Sequence, residues 1–321
     1  MLGVRKTDDT PLDTAWRVTG PFLDRLAAKP ETEAVLVLSS AAGAEDRLPF
    51  DEQSDFDVAL VIDVPVDPVE WRQDAWQTYR QLAERMPTWL PNFAFHVPVP
   101  WGRLEVNVHQ LVYAYEADAR TAWDDGKCEA YAQTGRILFD RHGRVATLVA
   151  RKAAEQAAGR PARVARLANR LTWDVATLPQ RQAARGEVSA AHLIVTHAVD
   201  ELLELCFLLA GRFVPAPKWR LLALRRHGLL DAVMLTAVED AIACDPRSSA
   251  DLERRINALT RVWEAVRASA PGLGGDLYRI FTAGQLQLRE RTAADTARAG
   301  AGEEAYDRVN ALLTVADAAP N

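Results

Sequence analysis

The chain has 321 residues, a formal net charge of −6 and a sequence pI of about 5.6. This acidic balance disfavours a dedicated nucleic-acid binder, because such proteins normally carry a basic excess. A hydrophobic share of 49% with 26% charged residues is ordinary for a globular protein, and the length suits two domains of usual size.

Cysteine usage and hydropathy indicate the compartment. The three cysteines Cys128, Cys206 and Cys244 lie far apart in the sequence and form no C-x-x-C pair. This predicts reduced, structural cysteines and a cytoplasmic location. The N-terminal residues lack the apolar segment of a signal peptide, and the longest apolar run, around Leu202–Ala210, is too short to span a bilayer. We therefore expect no membrane partner.

The N-terminal part of the chain begins with one helix pattern and two strand patterns. Apolar residues at helical spacing predict a helix over Asp13–Ala28, and Pro30 ends it. Apolar runs predict strands at Ala34–Leu38 and Phe56–Ile62, with a polar loop between them. Aromatic residues at helical spacing predict a further helix over Val69–Met86, whose stripe is interpreted as core rather than as a base-stacking surface.

A pair of carboxylates, Asp55 and Asp57, opens the second of these strands. Residues two apart in a strand share a face, so both side chains project together while Phe56 points into the core. Two neighbouring carboxylates repel each other unless a cation lies between them, and such oxygen ligands suit Mg²⁺. The pattern predicts a magnesium site, and the alternative is a solvated acidic strand end.

This stretch resembles the DNA polymerase β-like nucleotidyltransferase superfamily. That family has an apolar strand, a Gly-Ser or Ser-Ser turn, a loop, and then S-D-x-D on the next strand. Here the turn is Ser39-Ser40 and the second motif is Ser54-Asp55-Phe56-Asp57. Ser39 stands where the family usually has glycine, because the backbone must come close to the nucleotide phosphates there.

The resemblance implies a set of nucleotide and metal contacts. A nucleoside triphosphate, ATP first, would be bound with two Mg²⁺ ions. The implied residues are Asp55 and Asp57 at the metals, with Ser39, Ser40 and Ser54 at the nucleotide. The family also needs a third carboxylate on the strand beside the D-x-D strand.

That neighbouring strand is predicted over residues 103–111, which alternate strictly between apolar and polar types. Leu104 and Val108 fall on one face, whereas Glu105, Asn107 and His109 fall on the other. Glu105 is therefore the candidate third carboxylate, as general base, metal ligand or both. The alternative is a half-buried strand whose polar face is exposed to solvent and has no catalytic role. His109 is interpreted as a residue of the pocket wall.

A change in pattern after residue 145 predicts two domains. The stretch Gln133–Asp140 reads as a turn and a last short strand, and from Thr147 onward the apolar spacing is helical. We expect an α+β protein. A polymerase β-type nucleotidyltransferase domain, a mixed sheet with flanking helices, would occupy residues 1–145, and an all-helical substrate-binding domain residues 146–321.

A second cluster follows the most apolar helix. Gly211 suits a helix C-cap, two prolines stiffen the loop, and Lys218 with Trp219 begins the next helix. The stretch resembles the helical domain of bacterial antibiotic nucleotidyltransferases of the aminoglycoside and lincosamide type. In that setting the lysine reaches the triphosphate, whose departing pyrophosphate needs positive charge. The alternative is a solvated lysine beside a packing tryptophan.

Candidate acceptor-binding residues lie on the predicted helices. An aromatic ring beside a carboxylate suits a cationic, sugar-like acceptor, although a core tryptophan next to a surface aspartate is the simpler interpretation. The candidates are Trp173, Asp174, Asp200, Glu201 and Glu204.

The function expected from these residues is Mg²⁺-dependent transfer of a nucleoside monophosphate, AMP from ATP, to a hydroxyl of a small molecule. Two alternatives stay open. One is nucleotidylation of a protein or RNA, although the net charge of −6 disfavours RNA. The other is a nucleotide-binding module without catalysis.

Overall fold

The computed structural model describes residues 9–43, 49–63 and 92–270. Across these ranges, one mixed sheet and a set of helices make an α+β protein, which confirms the predicted fold class. The helix expected at 69–86 lies outside the described residues, as does the part of the expected helical domain from residue 271 onward. No helix among the described residues, 9–43, 49–63 and 92–270, is long and apolar enough to cross a membrane.

The helices lie within residues 9–43 and 92–270. The first begins with a Thr10 cap whose side chain accepts from the Asp13 amide, with Pro11 in the first turn. The bounds are Pro11–Ala28 (α1), Tyr113–Ala117 (α2), Asp125–Cys128 (α3), Arg144–Ala158 (α4), Arg160–Ala176 (α5), Leu178–Ala184 (α6), Val188–Leu209 (α7), Pro217–Arg226 (α8), Ala232–Ile242 (α9) and Ser249–Ser269 (α10). A 3₁₀ turn spans Ser39–Ala42, and a π-helical turn spans Glu129–Gln133.

The strands form a single sheet in the part of the chain that the structure describes. Their bounds are Thr32–Val37 (β1), Phe56–Ile62 (β2), Asn92–Val99 (β3), Gly102–Val112 (β4) and Arg136–Asp140 (β5). The order across the sheet is β3–β4–β2–β1–β5. Only the β2–β4 pair is parallel among these neighbours, so the C-terminal direction of β2 matches that of β4.

Both faces of the central strands β1 and β2 are covered. On one face, Phe22 and Leu26 of α1 pack against Phe56, Val58 and other alternating residues of the sheet. The opposite face carries the remaining residues of the same strands, packed against a second cluster: Ala34, Leu36, Ala59, Val61, Trp123, Cys128, Tyr131, Val145 and Val149. Asp57 shares this second face with Ala59 and Val61, because residues two apart point the same way.

The described residues divide into two compact units. Unit 1 runs up to Arg160 and also includes Ala210–Leu230, whereas unit 2 comprises Pro161–Leu209 and the described residues from Asp231 onward. A single boundary at residue 145 was expected, whereas residues 146–160 and 210–230 both group with unit 1. For 210–230, specific hydrogen bonds account for this: the Val214 amide donates to the buried Asp125 carboxylate at 3.1 Å, and the Phe213 amide donates to Gln133 at 3.3 Å.

Candidate active site

Three predicted carboxylates meet on one face of two neighbouring strands in unit 1. Parallel pairing places Phe56 beside Val106 and Asp57 beside Asn107. Continuing this register by one position brings Asp55 beside Glu105. Val106 and Val108 are fully buried, whereas Glu105, Asn107 and His109 are only half-buried, as the alternation predicted.

The pKa of Asp55 reflects its burial and the negative charges near it. Desolvation by the surrounding protein raises its pKa above the ordinary value, and the negative charges of Glu105 and Asp57 raise it further. Lys218 and His96 act in the opposite direction without overcoming these effects. The three carboxylates are therefore close enough to interact electrostatically, and they favour a cation among them.

Asp57 behaves differently from its neighbour. Burial alone would raise its pKa, but polar contacts from His109, Ser39 and Asn107 outweigh burial and hold the pKa below the ordinary value. The Asn107 amide donates to Asp57 Oδ1 at 3.4 Å, and His109 Nε2 lies 3.8 Å from the same oxygen. Asp57 is consequently a fixed, ionised carboxylate at neutral pH.

A second histidine faces the site and was not identified from the sequence. His96 on β3 pairs in register with Glu105, and its Nε2 lies 3.7 Å from Glu105 Oε2. The register between the strand of His96 and the strand of Glu105 is not readable from the sequence, so this contact could not be predicted. Asn107, by contrast, could have been found, because it lies on the polar face of the alternating strand.

The turn Ser39–Ala42 follows β1 and lies beside Asp57. The Leu38 amide donates to the Asp57 carbonyl at 2.9 Å, and a side-chain contact joins Ser39 to the Asp57 carboxylate. Ser39 has a φ of +56°, in the left-handed region that favours glycine. Glycine adopts this conformation without the cost that serine bears, and strain of this kind concentrates at functional sites.

Two other predicted nucleotide contacts are Ser40, in the turn after β1, and Ser54, which directly precedes Asp55. The Ser40 carbonyl accepts from the Gly43 amide at 3.2 Å, which closes the 3₁₀ turn. The Ser54 hydroxyl donates to Asp51 Oδ1 at 2.9 Å and accepts from the Asp51 amide at 3.1 Å. Ser54 thus stabilises the loop that leads into β2.

Lys218 lies in unit 1 with the carboxylates, in the first turn of α8. The sequence predicted that it belongs to a separate helical domain, but its segment is attached to unit 1 by hydrogen bonds that the Val214 and Phe213 amides donate to Asp125 and Gln133. Its positive charge lowers the pKa of Asp55, and its Nζ lies 5.2 Å from the centre of the Trp219 ring. The positive charge of Lys218 therefore interacts with the Asp55 carboxylate.

The remaining candidate residues, proposed to bind the acceptor, belong to unit 2. Glu201 is buried and pairs with Arg170 at 2.7 Å, while Glu204 pairs with Arg163 at 2.6 Å. Burial raises the pKa of Glu201, although Arg170 and His197 oppose it. Arginines already neutralise these two carboxylates, so a cationic acceptor would have to compete with them. The others, Trp173, Asp174 and Asp200, are half-buried.

The donor set in unit 1 fits a magnesium ion bound together with phosphates. No group of three His, Cys, Asp or Glu side chains among the described residues is arranged as a complete metal site. Mg²⁺ does not require one, because it usually takes one or two protein carboxylates, substrate phosphates and water. Asp55 and Asp57 supply those carboxylates, and burial, followed by the negative charges of Glu105 and Asp57, raises the pKa of Asp55.

Comparisons with known proteins give limited matches. Residues 127–220 match a family described as a domain of unknown function, DUF4037. A solved structure described as a nucleotidyltransferase-like protein from Exiguobacterium sibiricum 255-15 is 18% identical in sequence. The match covers 82% of this chain and 78% of the other chain, with a TM-score of 0.39. No curated protein matches the chain.

Proposed function

We propose that this protein is a Mg²⁺-dependent nucleotidyltransferase that moves AMP from ATP to a hydroxyl group of a small molecule. The observation that carries the proposal is the convergence of Asp55, Asp57 and Glu105 on one face of β2 and β4. Lys218 contributes a positive charge that acts on Asp55, and the backbone of the Ser39–Ala42 turn lies beside Asp57. The S-D-x-D resemblance described above supports the same reaction class.

The residues have distinct roles in this reaction. Asp55 and Asp57 would hold the magnesium, which when bound supplies positive charge to the triphosphate. The Ser39–Ala42 turn and Ser40 would contact the β- and γ-phosphates, as Lys218 would. These contacts orient the α-phosphorus for attack and compensate the negative charge of the departing pyrophosphate.

Glu105 would act as the general base. It accepts the proton of the acceptor hydroxyl, the hydroxyl oxygen forms a new bond to the α-phosphorus, and the bond from the α-phosphorus to the bridging oxygen of pyrophosphate breaks. His96, 3.7 Å away, would orient the Glu105 carboxylate. The exposure of Glu105, at 40% of its side chain, leaves room for an acceptor to approach.

The test is label transfer from each of the four α-labelled nucleoside triphosphates, with Mg²⁺ and panels of aminoglycosides, lincosamides and nucleosides. We expect a labelled small-molecule product and equimolar pyrophosphate, both abolished by EDTA. Label on the protein itself or on added RNA would replace the small-molecule acceptor with a macromolecular one. Binding of ATP with no transfer to any acceptor would favour a non-catalytic module.

A further inference from the structure

A tryptophan on α1 holds the Ser39–Ala42 turn. The indole N–H of Trp16 donates to the carbonyl oxygen of Ala41 at 3.1 Å, across 25 positions of sequence. The ring is half-buried, and α1 lies on the face of the sheet opposite the carboxylates. Trp16 therefore contacts the turn from the face of the sheet opposite Asp55 and Asp57.

The same ring also contacts the carboxylate strand. Trp16 packs edge-on against Phe56, with ring centroids 5.3 Å apart and planes at 83°. Phe56 is the fully buried residue between Asp55 and Asp57. The Arg136 guanidinium lies 5.8 Å from the centre of the Trp16 ring. One side chain thus connects the backbone of the turn to the centre of the D-x-D motif.

The turn needs such support because of its backbone conformation. Ser39 has a φ of +56°, which a residue with a Cβ adopts only at an energetic cost that glycine avoids. A hydrogen bond to Ala41, two positions later, opposes relaxation of the turn toward negative φ. The strain at Ser39 favours relaxation of the turn, whereas the hydrogen bond from Trp16 favours the conformation with positive φ.

We propose that Trp16 is a positioning residue, which holds the strained turn at a fixed distance from Asp55 and Asp57 so that both engage one triphosphate. This rests on the proposed nucleotidyl transfer for its ligand, but the hold on the turn is a property of the chain alone. It predicts an effect on nucleotide affinity larger than the effect on turnover at saturation.

The first test replaces Trp16 with phenylalanine, which keeps an aromatic ring on Phe56 and removes the N–H donor. The dissociation constant for MgATP, measured by calorimetry, should rise about two- to tenfold, the range of one hydrogen bond. Trp123→Phe is the matched control, since it removes an indole hydrogen bond to Glu116 in the same unit but not in the turn. Equal losses in both variants would overturn the proposal.

The second test uses Ser39→Gly, which removes the cost of positive φ. In the Ser39→Gly background the loss caused by Trp16→Phe should shrink to less than about twofold, because the turn no longer needs the bond. A loss of the same size in both backgrounds would show that Trp16 acts through something other than the turn.

The third measurement needs no nucleotide. Hydrogen–deuterium exchange of the unliganded protein should become faster in a peptide spanning residues 39–43 when Trp16 is replaced by phenylalanine, and stay unchanged in Trp123→Phe. The reporter is the Gly43 amide, which donates to Ser40. Unchanged exchange in Trp16→Phe refutes the hold on the turn. Faster exchange in a protein whose wild type binds no nucleotide refutes the proposed function and leaves the hold in place.

Discussion

The side-chain amide of Asn107 lies 3.4 Å from the carboxylate of Asp57, across two neighbouring parallel strands. This contact, together with those from His109 and Ser39, lowers the pKa of Asp57 despite its burial. Asp55, two positions earlier, has a raised pKa. The pKa values of the two acids of one motif are thus shifted in opposite directions, and the polar contacts that lower the pKa act at Asp57.

Asp57→Asn should keep the fold and lower transfer by about 100-fold or more, because it removes a fixed charge from the proposed magnesium site. The measurement is pyrophosphate release at saturating ATP and Mg²⁺. Asp63→Asn is the matched control, since Asp63 follows the same strand but pairs with Arg144. Wild-type rates in Asp57→Asn would remove this residue from the metal site.

Glu105→Gln should lower kcat by about 10²- to 10⁴-fold, the range of a positioned general base. Its effect on the ATP dissociation constant should be much smaller, because proton abstraction contributes only in the transition state. Single-turnover rates and equilibrium binding of ATP separate the two quantities. A variant that loses affinity but keeps its turnover would assign Glu105 to nucleotide binding instead.

Lys218→Ala should weaken MgATP binding by about 10- to 100-fold, the range of one charge-assisted hydrogen bond. The reason is its charge, which acts on Asp55 in the same unit. The comparison is Arg226→Ala, at the other end of α8, which should bind MgATP normally. If both variants bind equally well, Lys218 is a solvated side chain that packs on Trp219, which is the alternative given by the sequence.

Glu33 should make stability depend on pH. Hydrogen bonds from Arg144, the largest cause, and from His142 outweigh burial and lower its pKa from 4.5 to about 2. The folded state therefore binds this proton less tightly than the unfolded state, so the contribution is complete above about pH 4.5 and is lost as pH falls toward 2. A depression of that size corresponds to roughly 3 kcal/mol.

The measurement for Glu33 is urea unfolding of wild type and Glu33→Gln at several pH values. The difference in unfolding free energy should be constant from pH 7 to 5 and should shrink below that. A difference that grows on acidification would contradict the assignment. Arg144 keeps a second partner in the variant, Asp63 at 2.6 Å, so the protein should still fold.

Gly135→Ala should destabilise the protein by about 1–3 kcal/mol. A Cβ at this position would lie 2.6 Å from the Ala130 carbonyl oxygen and 3.0 Å from that of Tyr131, and neither backbone atom can move freely. Gly20→Ala is the control, because a Cβ there meets no atom within 4 Å and alanine favours a helix. Thermal unfolding of the two variants distinguishes steric exclusion from a general effect of added methyl groups.

The sequence predicted the strands that carry the carboxylates, because their signals are local. The alternation over residues 103–111 separates buried Leu104 and Val108 from the polar face, and the structure confirms that separation. The helix α1 and the strand β2 were likewise readable from spacing and from apolar runs. In each case one element contains the whole pattern.

Contacts between distant segments were not readable. The bond from Trp16 to Ala41 depends on how α1 lies against the sheet, and the His96–Glu105 contact depends on the register of β3. The attachment of 210–230 to unit 1 depends on Asp125, 89 positions before Val214. The residues around Asp125 in the sequence give no indication of so distant a partner.

The discontinuity of unit 1 constrains how the protein is made. The chain passes between the units at residues 160/161, 209/210 and 230/231. During translation, the ribosome therefore adds Asp55, Asp57 and Glu105 to the chain long before it adds Lys218. The carboxylates are therefore synthesised before this cation, and cutting the chain at any single peptide bond does not divide the protein into its two units.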